Sequence, residues 1–217
     1  MKQAAIFDMD GLMFDTERLY QESWMALAAE FGQIPNPEFP SAVAGTAGET
    51  MRRTIRTYYP ELDPETFIEA CFQRVRDITR THLPEKPGLR QLLELLRSKG
   101  VRMAVASSSE ADIISRNLAT AGVRDYFEAV VSSTNPAVKD GKPAPDVFLY
   151  AAKKLGVDPR DCWVLEDSLN GIRAAYSAGA SAIMVPDTME PTEEIRALCR
   201  VFPDLGAVAQ AMEAGEV

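Results

Sequence analysis

Short apolar segments that alternate with helical patterns constrain the fold of this chain more than any other feature of its sequence. The apolar segments are residues 3–7, 101–106, 127–131, 162–165 and 180–185. Each is apolar along most of its length, which is typical of strands buried on both faces. The helical patterns, each followed within two residues by a glycine, are residues 89–98, 111–121, 146–155 and 170–178. This alternation predicts an α/β fold, a Rossmann-like doubly wound parallel sheet whose ligands bind beyond the carboxyl ends of the strands.

One long stretch, from Thr16 to about residue 81, interrupts the alternation. It has helical patterns at residues 17–31, 49–58 and 64–80, no segment typical of a buried strand, and a proline-rich loop at residues 35–40. Asp63 is placed to cap the third helix, with Pro64 at its first position. We therefore predict a catalytic core of residues 1–15 and 82–217 and an inserted all-helical cap domain of residues 16–81. Such an insert is placed to exclude water and select substrate, although a purely structural helical subdomain would have the same pattern.

Composition and charge argue against several classes of partner. The 217 residues carry a formal charge of −9, so a nucleic-acid backbone or an anionic membrane surface would be repelled at long range. Three widely spaced cysteines indicate reduced thiols, and His82 is the only histidine, too few for a histidine-ligated zinc site. We expect no leader sequence, and the sequence has no apolar run of membrane-spanning length. We expect a soluble cytoplasmic protein and, without a long apolar helical seam, a monomer.

Three aspartates follow the first apolar segment within eight residues: Asp8, Asp10 and Asp15. Carboxylates are costly to crowd unless they share a cation or a proton. Asp8 and Asp10 are two residues apart, so in an extended chain both side chains point to one face, and Gly11 then allows a sharp turn. The pattern indicates a Mg²⁺-assisted nucleophile paired with a general acid or base, although aspartate is also common in turns.

Polar residues also follow the other apolar segments. The serines at residues 107–109 offer hydroxyl and amide groups to an anion, or cap the next helix. Lys142 lies in a run with two prolines, which stiffen the backbone around a single cation. Glu166 and Asp167 follow the fourth segment and, if they lie beside Asp8, would complete an oxygen-ligand site for a hard cation.

In order and spacing, these motifs resemble those of the haloacid dehalogenase-like hydrolases. The similarity is to the branch with a helical cap that includes beta-phosphoglucomutase and sugar-phosphate phosphatases. The matching segments are Asp8-Met9-Asp10-Gly11 with Asp15 and Thr16, Ala106-Ser107-Ser108-Ser109, Gly141-Lys142-Pro143-Ala144-Pro145-Asp146, and Leu165-Glu166-Asp167-Ser168 with Gly171. The resemblance covers essentially the whole chain and implies an enzyme of phosphoryl transfer.

The resemblance implies catalytic and phosphate-binding roles. Asp8 attacks the phosphoryl group to form an aspartyl-phosphate, while Asp10 protonates the leaving alkoxide and then activates water. Ser107 and the amide of Ser108 hold phosphate oxygens, and Lys142 pairs with Asp8 and the phosphate. Physical chemistry supports this arrangement, because a phosphate dianion repels a carboxylate nucleophile unless cations neutralise it.

The resemblance also implies Mg²⁺ as the cofactor. The ion is bound by the Asp8 carboxylate, the Asp10 backbone carbonyl and Asp167, with Glu166 in support. By this resemblance the acidic cluster is a metal site, and Asp15 is a structural residue at the point where the cap begins.

Within the family, the sequence favours a phosphatase. The dehalogenases lack an aspartate at the position of Asp10, and the phosphonate-cleaving branch uses a cap lysine, whereas no lysine occurs between Lys2 and Lys86. Beta-phosphoglucomutase has a cap histidine at the position of Tyr20, and a tyrosine hydroxyl cannot exchange protons near neutral pH as an imidazole does. The predicted function is a Mg²⁺-dependent phosphatase, a phosphoric monoester hydrolase, with a beta-phosphoglucomutase-type phosphosugar mutase as the alternative.

The candidate specificity residues of the cap are Thr16, Tyr20, Gly45 and Arg52. Gly45 resembles the glycine of the family's cap specificity loop. Arg52 and the other cap arginines could grip a polar or anionic part of a substrate, although charged outer faces of helices carry arginines too. Because a closing cap leaves little room for a macromolecule, we expect a small phosphorylated metabolite, a sugar or polyol phosphate. A non-catalytic phosphoaspartate signalling protein is an alternative of another class, against which Asp10 and the helical insert argue.

Overall fold

The computed structural model describes residues 2–44, 46 and 48–217. The chain divides into two compact units, one of Met1–Asp15 with Pro84–Val217 and one of Thr16–Leu83. In the described residues, the helices are α1 (Thr16–Glu30), α2 (Phe39–Val43), α3 (Gly48–Tyr58), α4 (Pro64–Thr79), α5 (Leu89–Ser98), α6 (Ala111–Thr120), α7 (Asp146–Leu155), α8 (Leu169–Ser177), α9 (Glu193–Leu198) and α10 (Leu205–Ala214). Short 3-10 helices cover Arg124–Tyr126 and Pro159–Asp161.

The first unit is built on a parallel sheet. Its strands, as far as the chain is described, are β1 (Ala4–Phe7), β2 (Arg102–Ser107), β3 (Ala129–Ser132), β4 (Cys162–Glu166), β5 (Ser181–Met184) and β6 (Cys199–Val201). They lie in the order β3-β2-β1-β4-β5-β6, and each neighbouring pair is parallel. This is the doubly wound order, with its topological switch beside β1. The predicted α/β fold is confirmed.

Strand register sets which residues meet at the switch point. Phe7 at the end of β1 pairs with Val105 of β2 on one side and Leu165 of β4 on the other. The residue that follows Phe7 is Asp8, and the residue that follows Leu165 is Glu166, so these two side chains lie at the same level of the sheet. All four residues of β1 are buried, as a strand covered on both faces requires.

The second unit is helical and has its own apolar core. Trp24 of α1 contacts Phe67 of α4 with ring centroids 5.1 Å apart, and Phe39 of α2 contacts Tyr59 at 4.9 Å. All four of these side chains are buried. Such edge-on and tilted aromatic packing adds to the free energy gained by removing the rings from water.

Most predicted elements agree with the structure to within one or two residues, and α5 and α7 have the predicted bounds. The predicted cap of α4 is also present, since Asp63 accepts a hydrogen bond of 2.9 Å from the Thr66 amide. The predicted loop at residues 35–40 is partly wrong, because α2 begins inside it at Phe39. Pro40 is tolerated there because amides in the first helical turn need no intrahelical partner.

Three elements after residue 185 lie beyond the predicted pattern: α9, β6 and α10. β6 has only three residues, too few for a readable apolar pattern. None of the described helices combines the length and the apolar character that a membrane crossing demands.

We predict that Phe67→Ala lowers the free energy of unfolding of the helical unit by about 3–5 kcal/mol, because it empties a fully buried site in the aromatic core. Phe31 packs against the same ring but is 36% exposed, so Phe31→Ala should cost clearly less. Urea unfolding followed by Trp24 fluorescence measures both, in a Trp163→Phe background that leaves one tryptophan. Equal losses for the two variants would contradict the assigned core.

Candidate active site

Polar side chains from three central strands meet at the carboxyl edge of the sheet in the first unit. Asp8 directly follows β1, Ser107 ends β2, and Glu166 ends β4. The Asp8 amide donates to the Leu165 carbonyl at 3.0 Å, which continues the β1–β4 ladder and holds the aspartate in line with the strand. The parallel sheet therefore brings together residues that are far apart in the sequence.

Lys142 joins the two carboxylates. Its Nζ donates to Oδ1 of Asp8, to Oε1 of Glu166 at 2.6 Å and to the Ala106 carbonyl at 3.3 Å. The Lys142, Asp8 and Glu166 side chains are only 7%, 8% and 1% exposed. Nζ also lies 4.9 Å from the centre of the Phe148 ring, so the ammonium has acceptors and an aromatic face around it. Removing one member of such a buried cluster would leave an unpaired charge away from water.

Burial shifts the proton affinities of this cluster. It raises the pKa of Asp8 to about 7, an effect that Lys142 opposes and that the charges of Glu166 and Asp10 reinforce. Burial and the neighbouring charges of Glu166 and Asp8 raise the pKa of Asp167 well above its usual range. Burial lowers the pKa of Lys142, but the charges of Asp8 and Glu166 outweigh this and raise it overall. The lysine stays charged, and the carboxylates around it are more numerous than one cation can neutralise.

Glu166 is held from both ends. While Oε1 accepts from Lys142, Oε2 accepts from the amides of Asp167 and Ser168 at 3.0 and 2.9 Å and from the Ser168 hydroxyl at 2.9 Å. Gly171 packs against this carboxylate so closely that a Cβ there would lie 1.8 Å from its Cδ. Both oxygens of Glu166 therefore already have protein donors.

The donor set fits a hard divalent cation. Among the described residues, Asp8, Glu166 and Asp167 form the group that brings carboxylate oxygens to within 4.8 Å of one another. Oxygen ligands with excess negative charge suit Mg²⁺, which prefers carboxylates and water. The raised pKa values of Asp8 and Asp167 are compatible with this, since burial and the neighbouring carboxylates raise both by more than the single charge of Lys142 lowers them.

Asp10 lies at the start of the turn after β1 and contacts the serine loop after β2. Its Oδ2 accepts from the Ser109 hydroxyl at 2.7 Å and from the Ser107 hydroxyl at 3.5 Å. The Ser109 amide in turn donates to Ser107 Oγ at 3.0 Å, which fixes the loop. Ser108 is exposed. No separate role was predicted for Ser109 from the sequence. In the structure, its hydroxyl lies closer to the Asp10 carboxylate than that of Ser107 does.

Two further charged residues near this edge were not predicted. Lys86 Nζ donates to Asp187 Oδ1 at 2.5 Å and lies 3.5 Å from Asp15 Oδ1. Asp15 is thus a structural partner of a lysine in this unit. Asp187 follows β5, and its position after an apolar segment, like that of Asp8, is the sequence signal that could have identified it.

The predicted cap residues lie in the helical unit. Thr16 begins α1, and Tyr20 lies one turn later with its ring 5.7 Å from that of Phe72. Arg52 of α3 is paired with Glu65. Gly45 lies outside the described residues.

A pocket of about 200 Å³ in this unit contains Tyr20. Its lining is Glu17, Tyr20, Gln21, Trp24, Pro40, Val43, Ala44, Thr46 and Phe72. Arg52 is not among these residues.

The model of the haloacid dehalogenase-like hydrolases matches residues 5–185, which include every motif of the site. The chain belongs to this family. A Drosophila melanogaster relative, named probable pseudouridine-5'-phosphatase, is 37% identical over 207 residues, which cover 92% of this chain and 88% of that protein. The fructose-1-phosphate phosphatase YqaB of Escherichia coli K12 is 34% identical over 183 residues, which cover 83% of this chain and 94% of that protein.

The fold of this haloacid dehalogenase-like hydrolase is also similar to a solved structure. That structure is of a Thermotoga maritima protein provisionally named beta-phosphoglucomutase, with a TM-score of 0.84 and 26% identity. The match covers 98% of this chain and 99% of that one. The resemblance stated from the motifs is therefore confirmed at the level of the family.

We predict that Gly171→Ala lowers the free energy of unfolding by about 1–3 kcal/mol, although alanine favours helices, because the added Cβ displaces the Glu166 carboxylate from Lys142. Asn170→Ala changes the exposed neighbouring position of α8 and serves as the control. Chemical denaturation of both variants measures the difference. A Gly171→Ala protein as stable as the control would contradict the close packing described.

Proposed function

We propose that this protein is a Mg²⁺-dependent phosphatase that hydrolyses a small phosphorylated metabolite, a sugar or polyol phosphate, through an aspartyl-phosphate. The observation that carries the proposal is the buried Asp8–Lys142–Glu166 cluster at the switch point of the sheet. The prediction of a phosphoric monoester hydrolase is confirmed by the relatives, which are named phosphatases of this family. The substrate, the metal and the roles of individual residues are our proposals.

Asp8 is the proposed nucleophile. One of its carboxylate oxygens forms a bond to phosphorus while the bond from phosphorus to the ester oxygen breaks. Lys142 makes this approach possible because its ammonium group lies beside Asp8 Oδ1. There it offsets the repulsion between the carboxylate and the phosphate dianion. Lys142 also binds a phosphate oxygen in this proposal, together with Ser107 and the amide of Ser108.

Asp10 is the proposed proton carrier. It gives a proton to the departing alkoxide in the first step and takes one from the water that attacks phosphorus in the second, when the bond from phosphorus to the Asp8 oxygen breaks and the Asp8 carboxylate is released. The hydroxyl of Ser109 supports this role, since its hydrogen bond fixes Asp10 Oδ2 and orients the carboxyl group. Two carboxylates in different surroundings can therefore carry out different steps.

Asp8, the Asp10 backbone carbonyl and Asp167 are the residues that would hold Mg²⁺. Glu166 would support the site by its charge rather than as a direct ligand, since its oxygens already accept four protein hydrogen bonds. When bound, the ion would supply positive charge to neutralise the phosphate during transfer.

The helical unit is proposed as the cap that selects the substrate, with the hinge near residues 15 and 82. Its pocket beside Tyr20 offers the carboxylate of Glu17 and the amide of Gln21. In the described part of the chain, no arginine lines this pocket. These groups suit the hydroxyls of a sugar or polyol better than a second phosphate. Thr16 and Gly45 remain proposed cap residues, whereas the pairing of Arg52 with Glu65 makes it the weakest candidate. A monomeric state and a cytoplasmic location stay predictions.

A phosphosugar mutase is the second candidate, because the Thermotoga maritima protein of the same fold bears that provisional name. Tyr20 argues against it, because a tyrosine hydroxyl cannot exchange protons near neutral pH as the cap histidine of beta-phosphoglucomutase does. Supplying beta-glucose 1-phosphate with a bisphosphate activator separates the two functions. Release of inorganic phosphate supports the phosphatase, and efficient formation of glucose 6-phosphate supports the mutase.

We predict that a panel of sugar and polyol monophosphates is hydrolysed with Mg²⁺ and that Asp8→Asn lowers kcat by about 10⁴-fold or more, because the nucleophile is removed. Phosphate release measures this. Glu194→Gln, which changes an exposed ion pair with Arg173, is the control and should retain activity. Unchanged turnover in Asp8→Asn would exclude the aspartyl-phosphate mechanism, and no turnover of any substrate would favour the non-catalytic phosphoaspartate protein.

We also predict that Mg²⁺ stabilises the protein more at about pH 8 than at about pH 5. The pKa of Asp8 is raised to about 7 and that of Asp167 is raised as well, chiefly by burial, so at the lower pH Asp8 holds a proton that the ion must displace. Above that pKa Asp8 is charged, and its repulsion from the neighbouring carboxylates is relieved when a cation binds. Thermal unfolding with and without MgCl₂ at constant ionic strength tests this, and a larger rise in Tm at the lower pH would contradict it.

A further inference from the structure

The carboxylate of Asp187 is only half satisfied by its partners. Lys86 Nζ donates to Oδ1 at 2.5 Å. Oδ2 is buried and, in the residues that the structure describes, has no hydrogen-bond partner. A buried carboxylate oxygen without a donor is costly, so a proton donor from outside the protein is expected at this point.

Gly11 shows where that oxygen points. An ideal Cβ on Gly11 would lie 2.4 Å from Asp167 Oδ2 and 3.2 Å from Asp187 Oδ2. The two oxygens therefore face the same small space beside the Gly11 backbone. Only glycine leaves this space open, and the φ of +82° at this position also favours glycine.

Two carboxylate oxygens that face one space repel each other unless a cation, or water held by a cation, lies between them. Lys86 offsets the charge of Asp187 through Oδ1, but it leaves Oδ2 without a donor. Among the described residues, the group whose carboxylate oxygens lie within 4.8 Å of one another is Asp8, Glu166 and Asp167, so we do not count Asp187 among the direct ligands.

We propose that Asp187 is a positioning residue for the metal site. Asp187 Oδ2 accepts a hydrogen bond from a water molecule bound to the Mg²⁺ that Asp8 and Asp167 hold. Lys86 orients the carboxylate through Oδ1. Mg²⁺ keeps several waters when it binds to proteins, and the groups that hold those waters affect its affinity strongly. This inference rests on the proposed function, since it requires Mg²⁺ at that site.

The substitution Asp187→Asn tests the proposal with little change in shape. Lys86 is a donor, so the amide oxygen of the new side chain would face Nζ and its NH₂ group would face Asp167. In the metal-free protein that NH₂ group can donate to the Asp167 carboxylate, whereas it cannot accept from a metal-bound water. We expect the Kd for Mg²⁺ to rise about 10-fold or more, while the Tm of the metal-free protein stays the same or increases.

The measurement is calorimetric titration of the purified, metal-free full chain with MgCl₂ in the absence of substrate, together with thermal unfolding without metal. Asp167→Asn should abolish binding, and Glu194→Gln should leave both Kd and Tm unchanged. A merely structural role for Asp187, as an anchor for Lys86, would instead lower the metal-free Tm and leave the Kd for Mg²⁺ unaltered.

Two of these variants distinguish a failure of the role proposed for Asp187 from a failure of the proposed metal site. If Asp167→Asn abolishes Mg²⁺ binding but Asp187→Asn binds the ion as tightly as the unmodified protein, this inference is wrong and the proposed metal site stands. If Asp167→Asn also leaves binding unchanged, Mg²⁺ does not occupy this site, and both the inference and the metal dependence of the proposed function are overturned.

Discussion

The buried ion cluster of Lys142 with Asp8 and Glu166 is the interaction on which the rest of the site depends. A lysine is stable so far from water only because two carboxylates and a backbone carbonyl accept its hydrogen bonds. The register of β1 with β4 places the two carboxylates at the same level. Even so, one cation cannot balance Asp8, Glu166 and Asp167, and this excess negative charge is compatible with the divalent cation that we propose.

The sheet and the main members of the site could be predicted from the sequence, because strands buried on both faces produce apolar runs and a parallel sheet brings their carboxyl ends to one edge. Asp8, Ser107 and Glu166 each stand at such an end. The contact between Lys86 and Asp187 could not be predicted in this way. It joins residues 101 positions apart, and it depends on side-chain positions that no local pattern records.

The cap arginines show the same limit of sequence patterns. Arg52, Arg56 and Arg74 occur in a region suited to binding an anion, yet each forms an ion pair with a glutamate of the same helical unit. Exposed ion pairs of this kind contribute little to stability, but they reduce the positive charge that a second anionic group would meet. The pocket beside Tyr20, whose described lining includes no arginine, is compatible with the proposed sugar or polyol phosphate.

The carboxylates at this edge of the sheet differ chiefly in how many protein donors each already has. Glu166 has donors on both oxygens, and so it acts as a fixed charge that holds Lys142 and the start of α8 in place. Asp187 has a donor on one oxygen and none in the described structure on the other. Its second oxygen faces the same space as Asp167, and in our proposal it accepts a hydrogen bond from a metal-bound water. The distribution of donors among chemically similar groups is thus the basis on which we propose different roles for them as anchor, metal ligand and water acceptor, a distinction that residue type alone cannot make.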